Sequence, residues 1–473
     1  MKKFVLYSLM LGTLVSTTAC RNIEEDGQTI VQGGGSGNGD TENLILSGKI
    51  TSNLTLKANK IYKLRGLVYV TNNATLTIEP GTKIVGEADK NGALIITRGS
   101  KIMAEGTATN PIIFTSEKPN PKRGDWAGVV ILGNAPTNSS FNNQAGIGEI
   151  EGGINNNEGL GLYGGTNAAD NSGVLKYVRI EYAGYAFLPD KEINGLTFGG
   201  VGNGTTVDYV EVAYANDDSF EWFGGTVNCS HLISYKGLDD DFDTDNGFSG
   251  NIQFGIAVRD PEVADISGSN GFESDNDANG SSLTPQTSAT FSNMTIIGPI
   301  NSSATSTNVA GISSMYQNGL QIRRNSSISV FNSVFTGFPT GLFIDATKGT
   351  ATDKNITSGS LAFENNILAG NTVPLKYGAP STPGSFTIAD LTTYYNSKGN
   401  TILAYTADVK LTGAWAPAGT TPNFSPAAGS PLLSGALFTH AKLSSPWFTK
   451  VAYRGAVKDA NDTWYAGWTN YNL

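Results

Sequence analysis

Cysteine and histidine are nearly missing from this 473-residue sequence, and each shortage excludes a class of chemistry. With only Cys20 and Cys229, no disulfide framework can staple the fold, and a thiolate-rich zinc site has no ligand set. With only His231 and His440, a Ser-His-Asp triad or a histidine zinc centre has little to draw on. Positive charge is the scarcer sign: 31 Lys and Arg stand against 41 Asp and Glu, a net charge of −10. That balance argues against nucleic acid and against anionic membrane surfaces as partners. No segment keeps a long helical hydrophobic period, which excludes a helix bundle.

What the sequence has instead is turn chemistry and short strands. Fifty-eight glycines, with abundant Asn, Thr and Ser, indicate an all-β chain with many turns. Apolar-alternating segments recur: Leu175-Lys176-Tyr177-Val178-Arg179-Ile180, Val207-Asp208-Tyr209-Val210-Glu211-Val212 and Ser230-His231-Leu232-Ile233-Ser234-Tyr235. They continue through Asn251-Ile252-Gln253-Phe254, Thr290-Phe291-Ser292-Asn293, Ser329-Val330-Phe331-Asn332 and Leu361-Ala362-Phe363-Glu364. The best-spaced of these repeat every ~22 residues, too short for a propeller blade, and they carry no leucine-rich consensus. Short strands joined by tight turns and stacked coil on coil would bury a common apolar interior.

In the N-terminal part, Ala74-Thr75-Leu76-Thr77-Ile78, Ala93-Leu94-Ile95-Ile96 and Pro111-Ile112-Ile113-Phe114-Thr115 resemble right-handed parallel β-helix repeats. The fold expected is therefore a right-handed parallel β-helix over residues 44–435. An immunoglobulin-like tandem lacks support, because no cysteine–tryptophan pattern recurs. Solenoid ends need covers. The aromatic-rich segment 436–473, with Trp447, Phe448, Tyr453, Trp464, Trp468 and Tyr471, is expected to fold over the last coil as a C-terminal cap. Cys229 and His231, both on predicted strands, are expected to serve the core and the framework.

One set of predicted strands carries most of the chemistry: Phe220-Glu221-Trp222-Phe223, Phe242-Asp243-Thr244-Asp245, Phe272-Glu273-Ser274-Asp275, Leu320-Gln321-Ile322-Arg323 and Leu342-Phe343-Ile344-Asp345. Neighbours in a strand face opposite ways, so with Phe220, Phe242, Phe272 and Leu320 inward, Glu221, Asp243, Glu273 and Gln321 face outward. Asp245, Asp275 and Arg323 take the next outward positions. Asp217, Asp218, Asp239, Asp240, Asp241 and Asp277 flank them. Carboxylates stacked ~4.8 Å apart repel one another unless something offsets them. Three readings stay open. The acids cap turns, or Glu221, Asp243, Asp245, Glu273 and Asp275 ligate Ca²⁺, or raised pKa values make some of them acid catalysts. The ligand face expected is Glu221, Trp222, Asp243, Asp245, Glu273, Asp275 and Arg323.

Within the β-helix enzymes, Asp243-Thr244-Asp245-Asn246-Gly247 and Ile322-Arg323-Arg324 resemble polygalacturonase signatures. The Gly-His-Gly element of that family is absent, and a lyase base would have to come from Lys236, Arg323 or Arg324.

The N-terminus reads as a leader. Lys2 and Lys3 precede an apolar stretch at 4–15, about the length of a signal-peptide core and too short to span a bilayer. It runs into Thr17-Thr18-Ala19-Cys20, which resembles a bacterial lipobox, with Thr17 where leucine is commonest. The resemblance implies cleavage after residue 19 and a diacylated Cys20. Losing residues 1–19 removes two lysines, so 29 Lys and Arg against 41 Asp and Glu leave −12. Residues 20–43 read as a tether, with Glu24-Glu25-Asp26 resembling the surface-export signal of Bacteroidota lipoproteins and Gly33-Gly34-Gly35-Ser36-Gly37-Asn38-Gly39 supplying slack.

The segments EINGLTFGGVG (192–202) and DDSFEWFGG (217–225) resemble a family of Bacteroidota surface lipoproteins encoded beside TonB-dependent transporters. That resemblance implies an outer-membrane, exterior-facing binding module that captures a ligand for such a transporter or docks on it. The alternatives are a calcium-dependent polysaccharide lyase or glycoside hydrolase on the same face, and an adhesin or spacer.

Overall fold

The computed structural model describes residues 32–33, 43–188, 191–302, 311–382, 384–416 and 420–473. The leader, Cys20 and nearly all of the tether lie outside them.

The recurring segments stack as parallel coils, forming one continuous hydrogen-bonded array of 28 strands. The solenoid is nearly closed and is a right-handed parallel β-helix, as the repeats predict. One sheet runs through Leu196–Gly199, Phe220–Phe223, Phe242–Asp245, Phe272–Ser274, Asn318–Ile322 and Thr340–Asp345. Its register aligns Phe220 with Phe242 and Phe272, and Glu221 with Asp243, Glu273 and Gln321. The other two sheets are the halves of longer strands such as Thr206–Ala213, Asn228–Tyr235 and Asn251–Val258.

Each long strand bends at a single residue. Tyr177, Tyr209, His231, Phe254, Asn293, Asn332 and Asn365 all adopt positive φ, between 49° and 62°. For a residue with a Cβ that conformation costs ~1–2 kcal/mol. Stacking offsets it where the residues are aromatic: ring centroids lie 4.4 Å apart for Tyr177–Tyr209, 4.3 Å for Tyr209–His231 and 5.2 Å for His231–Phe254. Farther along, asparagines take over, which tolerate the left-handed region. His231 also meets Asp208 through Nδ1 at 2.7 Å, so its role is in the framework, as expected.

The interior is a column of inward side chains. Phe220 and Phe242 stack at 5.6 Å, and Phe242 contacts Phe272 at 5.0 Å. All three are fully buried, as is Cys229. Each buried Phe contributes ~1.5–3 kcal/mol by removal from water.

The ends are covered by different devices. Gln32–Gly33 pairs antiparallel with Leu44 and Ile45 on the first strand. At the far end, helix Ile388–Ser397 begins at a capping box on Thr387 and Asp390 and buries Leu391 and Tyr395. Tyr395 stacks on Phe363 at 5.9 Å.

The aromatic-rich tail caps the solenoid along its flank rather than only over its last coil. It runs back from Leu437 at Asn332, through Thr449 at Gln253 and Ala456 at Thr295, to Asn470 at Glu211. The reason is an apolar outer face: Ile233, Tyr235, Ile256 and Ile297 point away from the core and are buried by Val457, Tyr465, Trp468 and Tyr471. Trp468 meets Tyr177 and Tyr209 edge-on. Among the described residues, no helix is long and apolar enough to cross a membrane.

Candidate functional site

The outward face of the first sheet forms the floor of a cleft of about 790 Å³. Glu221, Asp243, Glu273 and Gln321 rise from consecutive rungs, one residue after the inward Phe or Leu. A second ladder stands beside them, two residues before that inward residue: Asn194, Asp218, Asp240, Asn270 and Asn318. The Asp240 N–H donates to Asp218 Oδ1 (2.8 Å), and the Asn270 N–H donates to Asp240 Oδ1 (2.5 Å). Asn318 donates to Asn270 Oδ1 from its backbone (3.1 Å) and its side chain (2.7 Å). The walls come from loops, with Glu151 on one and Asp265, Ile266 and Ser267 on another.

The acids crowd closely enough to hold a cation. Ligand oxygens of Asp240, Asp243 and Glu273 lie within 4.8 Å of one another, as do those of Asp218, Glu221 and Asp243, and those of Asp217, Asp218 and Asp239. Burial is the largest cause that raises the pKa of Asp218, Glu221, Asp240 and Asp243, and neighbouring carboxylates push the same way. Glu273 is pushed up to about 7 by burial, against the pull of Arg323. Asp239 reaches about 6 by burial and the nearby Asp265. Asp243 Oδ1 and Asp239 Oδ1 are buried without a hydrogen-bond partner. Asn194, only 1% exposed, donates its amide to Glu221 and leaves Oδ1 unpartnered.

Of the residues expected on the ligand face, Glu221, Asp243, Glu273 and Arg323 line this cleft. Asp245 and Asp275 do not belong to its carboxylate triads. Asp275 is held by arginines, with Arg323 Nε at 2.8 Å and Arg324 at 2.6 Å. Arg323 also pairs with Glu273. Asp245 accepts from the Asn246 N–H at 2.5 Å. Trp222 is a correction: it is fully buried in the core between Phe198 and Phe248, because strand alternation turns it inward beside Phe220. Asp241 also leaves the cleft, forming a buried ion pair with Arg259 at 3.0 Å. Asp277 is the turn former, accepting from the Asn279 and Ser281 N–H groups at 2.9 and 3.0 Å.

Sequence reasoning named Asp218 and Asp240 only as flanking acids and missed Asn194, Asn270 and Glu151. A signal was present in the repeated Asp-Asp-Ser-Phe, Asp-Asp-Asp-Phe and Ser-Asn-Gly-Phe, which put a polar residue two places before each inward ring. Lys236 sits elsewhere, its ammonium 5.3 Å from the Tyr235 ring centroid.

This geometry, an elongated cleft on one sheet of a three-sided solenoid, agrees with what the chain is related to. The family described as "Pectate-lyase like beta helix domain" matches residues 48–415. The chain belongs to that family. No curated protein matches it. Family membership establishes the β-helix and leaves the chemistry to the site itself.

Proposed function

We propose that this β-helix protein is a lipid-anchored, exterior-facing binding module of the outer membrane, which captures a ligand through Ca²⁺ held in the acidic cleft and works with a TonB-dependent transporter. The observation that carries the calcium reading is the Asp240–Asp243–Glu273 triad, three carboxylates with oxygens within 4.8 Å of one another. Hard oxygen ligands in a flexible arrangement suit Ca²⁺. A cation there would offset the burial and the mutual repulsion that raise these pKa values, and its open side would meet ligand oxygens such as those of an acidic polysaccharide. The anchor and the transporter rest on the resemblance of residues 17–20, 192–202 and 217–225. Affinity electrophoresis of the full chain through gels containing an acidic polysaccharide, with calcium and with chelator, tests the site. Retardation that needs calcium is expected, and migration indifferent to calcium refutes it. Cross-linking on intact cells tests the partner, with a TonB-dependent transporter the expected adduct.

A catalytic reading uses the same cleft. Carboxyls pushed toward neutral pH, Glu273 at about 7 among them, are poised to donate a proton to a glycosidic oxygen. Release of reducing or unsaturated sugar ends from the retarding polysaccharide would establish it.

A further inference from the structure

Charge is divided along the solenoid. Residues 44–125 contain 12 Lys and Arg against 6 Asp and Glu, a net +6, whereas residues 126–473 contain 16 against 30, a net −14. The division is sharpest at the start. Between Asn43 and Ile78 stand Lys49, Lys57, Lys60, Lys63 and Arg65, and no acid. We infer that this first coil is the membrane-facing base of the molecule and binds the phosphate-bearing headgroups of an anionic lipid surface. The inference rests on the anchored reading above, in which residues 20–43 tether the coil to a lipidated Cys20, and adds a second contact with the same membrane.

Position is the first support, because the first coil is the end of the stack. Strand Leu54–Leu56 pairs with Thr75–Ile78 on one side and, among the described residues, with no strand on the other. Lys49 lies on Asn43–Ile50, Lys57 and Lys60 in the turn after Leu54–Leu56, and Lys63 and Arg65 on Ile61–Val70. The cations therefore ring the end of the solenoid and do not mark one flank. Lys57 pairs with Glu79 and Arg65 with Glu87, each at 2.6 Å, yet their side chains keep 58% and 45% of their exposure. Ion pairs so exposed are held weakly.

Range is the second support, since it decides whether the acidic remainder cancels the attraction. Five successive strand pairings separate the strand of Lys49 from that of Glu221, ~24 Å at ~4.8 Å per rung. Salt screens charge over ~8 Å. The acidic cleft thus stands about three screening lengths from a surface that touches the first coil. That surface meets the basic end alone, and the acidic coils are turned away from it. The balance of −12 that argues against an anionic surface describes the body and conceals its base.

Each Lys or Arg at such a surface strengthens binding ~5-fold. Five of them hold a chain reversibly, so the acyl anchor is still what retains it in a membrane fraction. Lysines on an open strand edge also discourage edge-to-edge pairing, a role indifferent to lipid charge.

Vesicle co-sedimentation separates the two roles. The chain from residue 20 onward, carrying Cys20→Ala so that no acyl group contributes, is mixed with vesicles of phosphatidylcholine alone or with added phosphatidylglycerol. Binding to the phosphatidylglycerol vesicles alone, abolished by high salt, is expected. Lys49→Gln/Lys57→Gln/Lys60→Gln should weaken it ~100-fold. Lys348→Gln/Lys354→Gln/Lys450→Gln, the same loss of charge on exposed lysines of later coils and the tail, should leave it unchanged. Circular dichroism of both variants should stay that of the parent. Equal binding by the two variants would make net charge the cause and overturn the inference. A parent that sediments with neither lipid overturns it too and leaves the lysines as guards of the strand edge. The anchor is judged apart from either result, by acyl labelling of Cys20.

Discussion

Glu211 accepts a hydrogen bond from the backbone N–H of Asn470 at 3.1 Å, across 259 positions of sequence. The carboxyl is fully buried beneath the tail. Burial raises its pKa to about 8, with Glu181 adding to the rise, and Arg179 and the Asn470 N–H pulling it down. The proton is therefore held more tightly in the folded state than in the unfolded chain, whose carboxyl titrates near 4.5. The penalty is absent below that value, grows as pH rises, and is complete above about 8. Glu211→Gln should remove this group's contribution. The difference in melting temperature between variant and parent should then widen in the variant's favour from pH 5 to about 8. A pH-independent difference would mean that the carboxyl is ionised throughout.

Calcium should stabilise the parent and not the double variant Asp243→Asn/Glu273→Gln. One ion at 100 times its dissociation constant contributes ~2.7 kcal/mol. Without calcium the double variant should melt at the same temperature as the parent or above it, because repulsion between aligned carboxylates is relieved. Scanning calorimetry with CaCl₂ and with chelator reads both effects.

Phe242→Ala should destabilise the domain by ~3–5 kcal/mol, the usual cost of removing a buried ring from a close-packed core. Ile266→Ser should change stability by less than ~0.5 kcal/mol. Ile266 is 88% exposed at the rim of the cleft, whereas Phe242 is stacked between Phe220 and Phe272. Denaturant melts of the two variants provide the comparison, and equal midpoints would contradict the inward assignment.

Cys20→Ala should abolish incorporation of a palmitate analogue during growth and release the chain from the membrane fraction. Labelling that survives the substitution would refute the lipid anchor.

The sequence shows the inside of the solenoid more clearly than its outside. Phe220, Phe242, Phe272 and Leu320 betray the core because a large apolar group recurs at that one inward position on successive rungs, and their register carries Glu221, Asp243 and Glu273 with it. The same alternation places Trp222 inward, so its assignment to the ligand face contradicted the rule that located its neighbours. Asp218 and Asp240 were harder to place, since they lie in turns where no period of two applies. The fate of Asp275 depended on Arg323 and Arg324 reaching across from the next rung, a matter of side-chain conformation. The course of the tail depended on Ile233, Ile256 and Ile297, outward residues whose apolar character looks in sequence like ordinary strand.

The bend at Tyr177, Tyr209, His231, Phe254, Asn293, Asn332 and Asn365 uses one residue per coil. From Tyr177 onward that corner takes no inserted loop, although 106–111 stands opposite Tyr177 in the preceding coil, whereas the corner after the first sheet carries segments as different in length as 246–250 and 275–289. From residue 173 on, growth and loss of sequence are thereby channelled to the sides that wall the cleft, while the spacing of the rungs is fixed from the opposite corner. New specificities could be grafted onto this scaffold by exchanging whole loops, with the carboxylate ladders keeping their pitch.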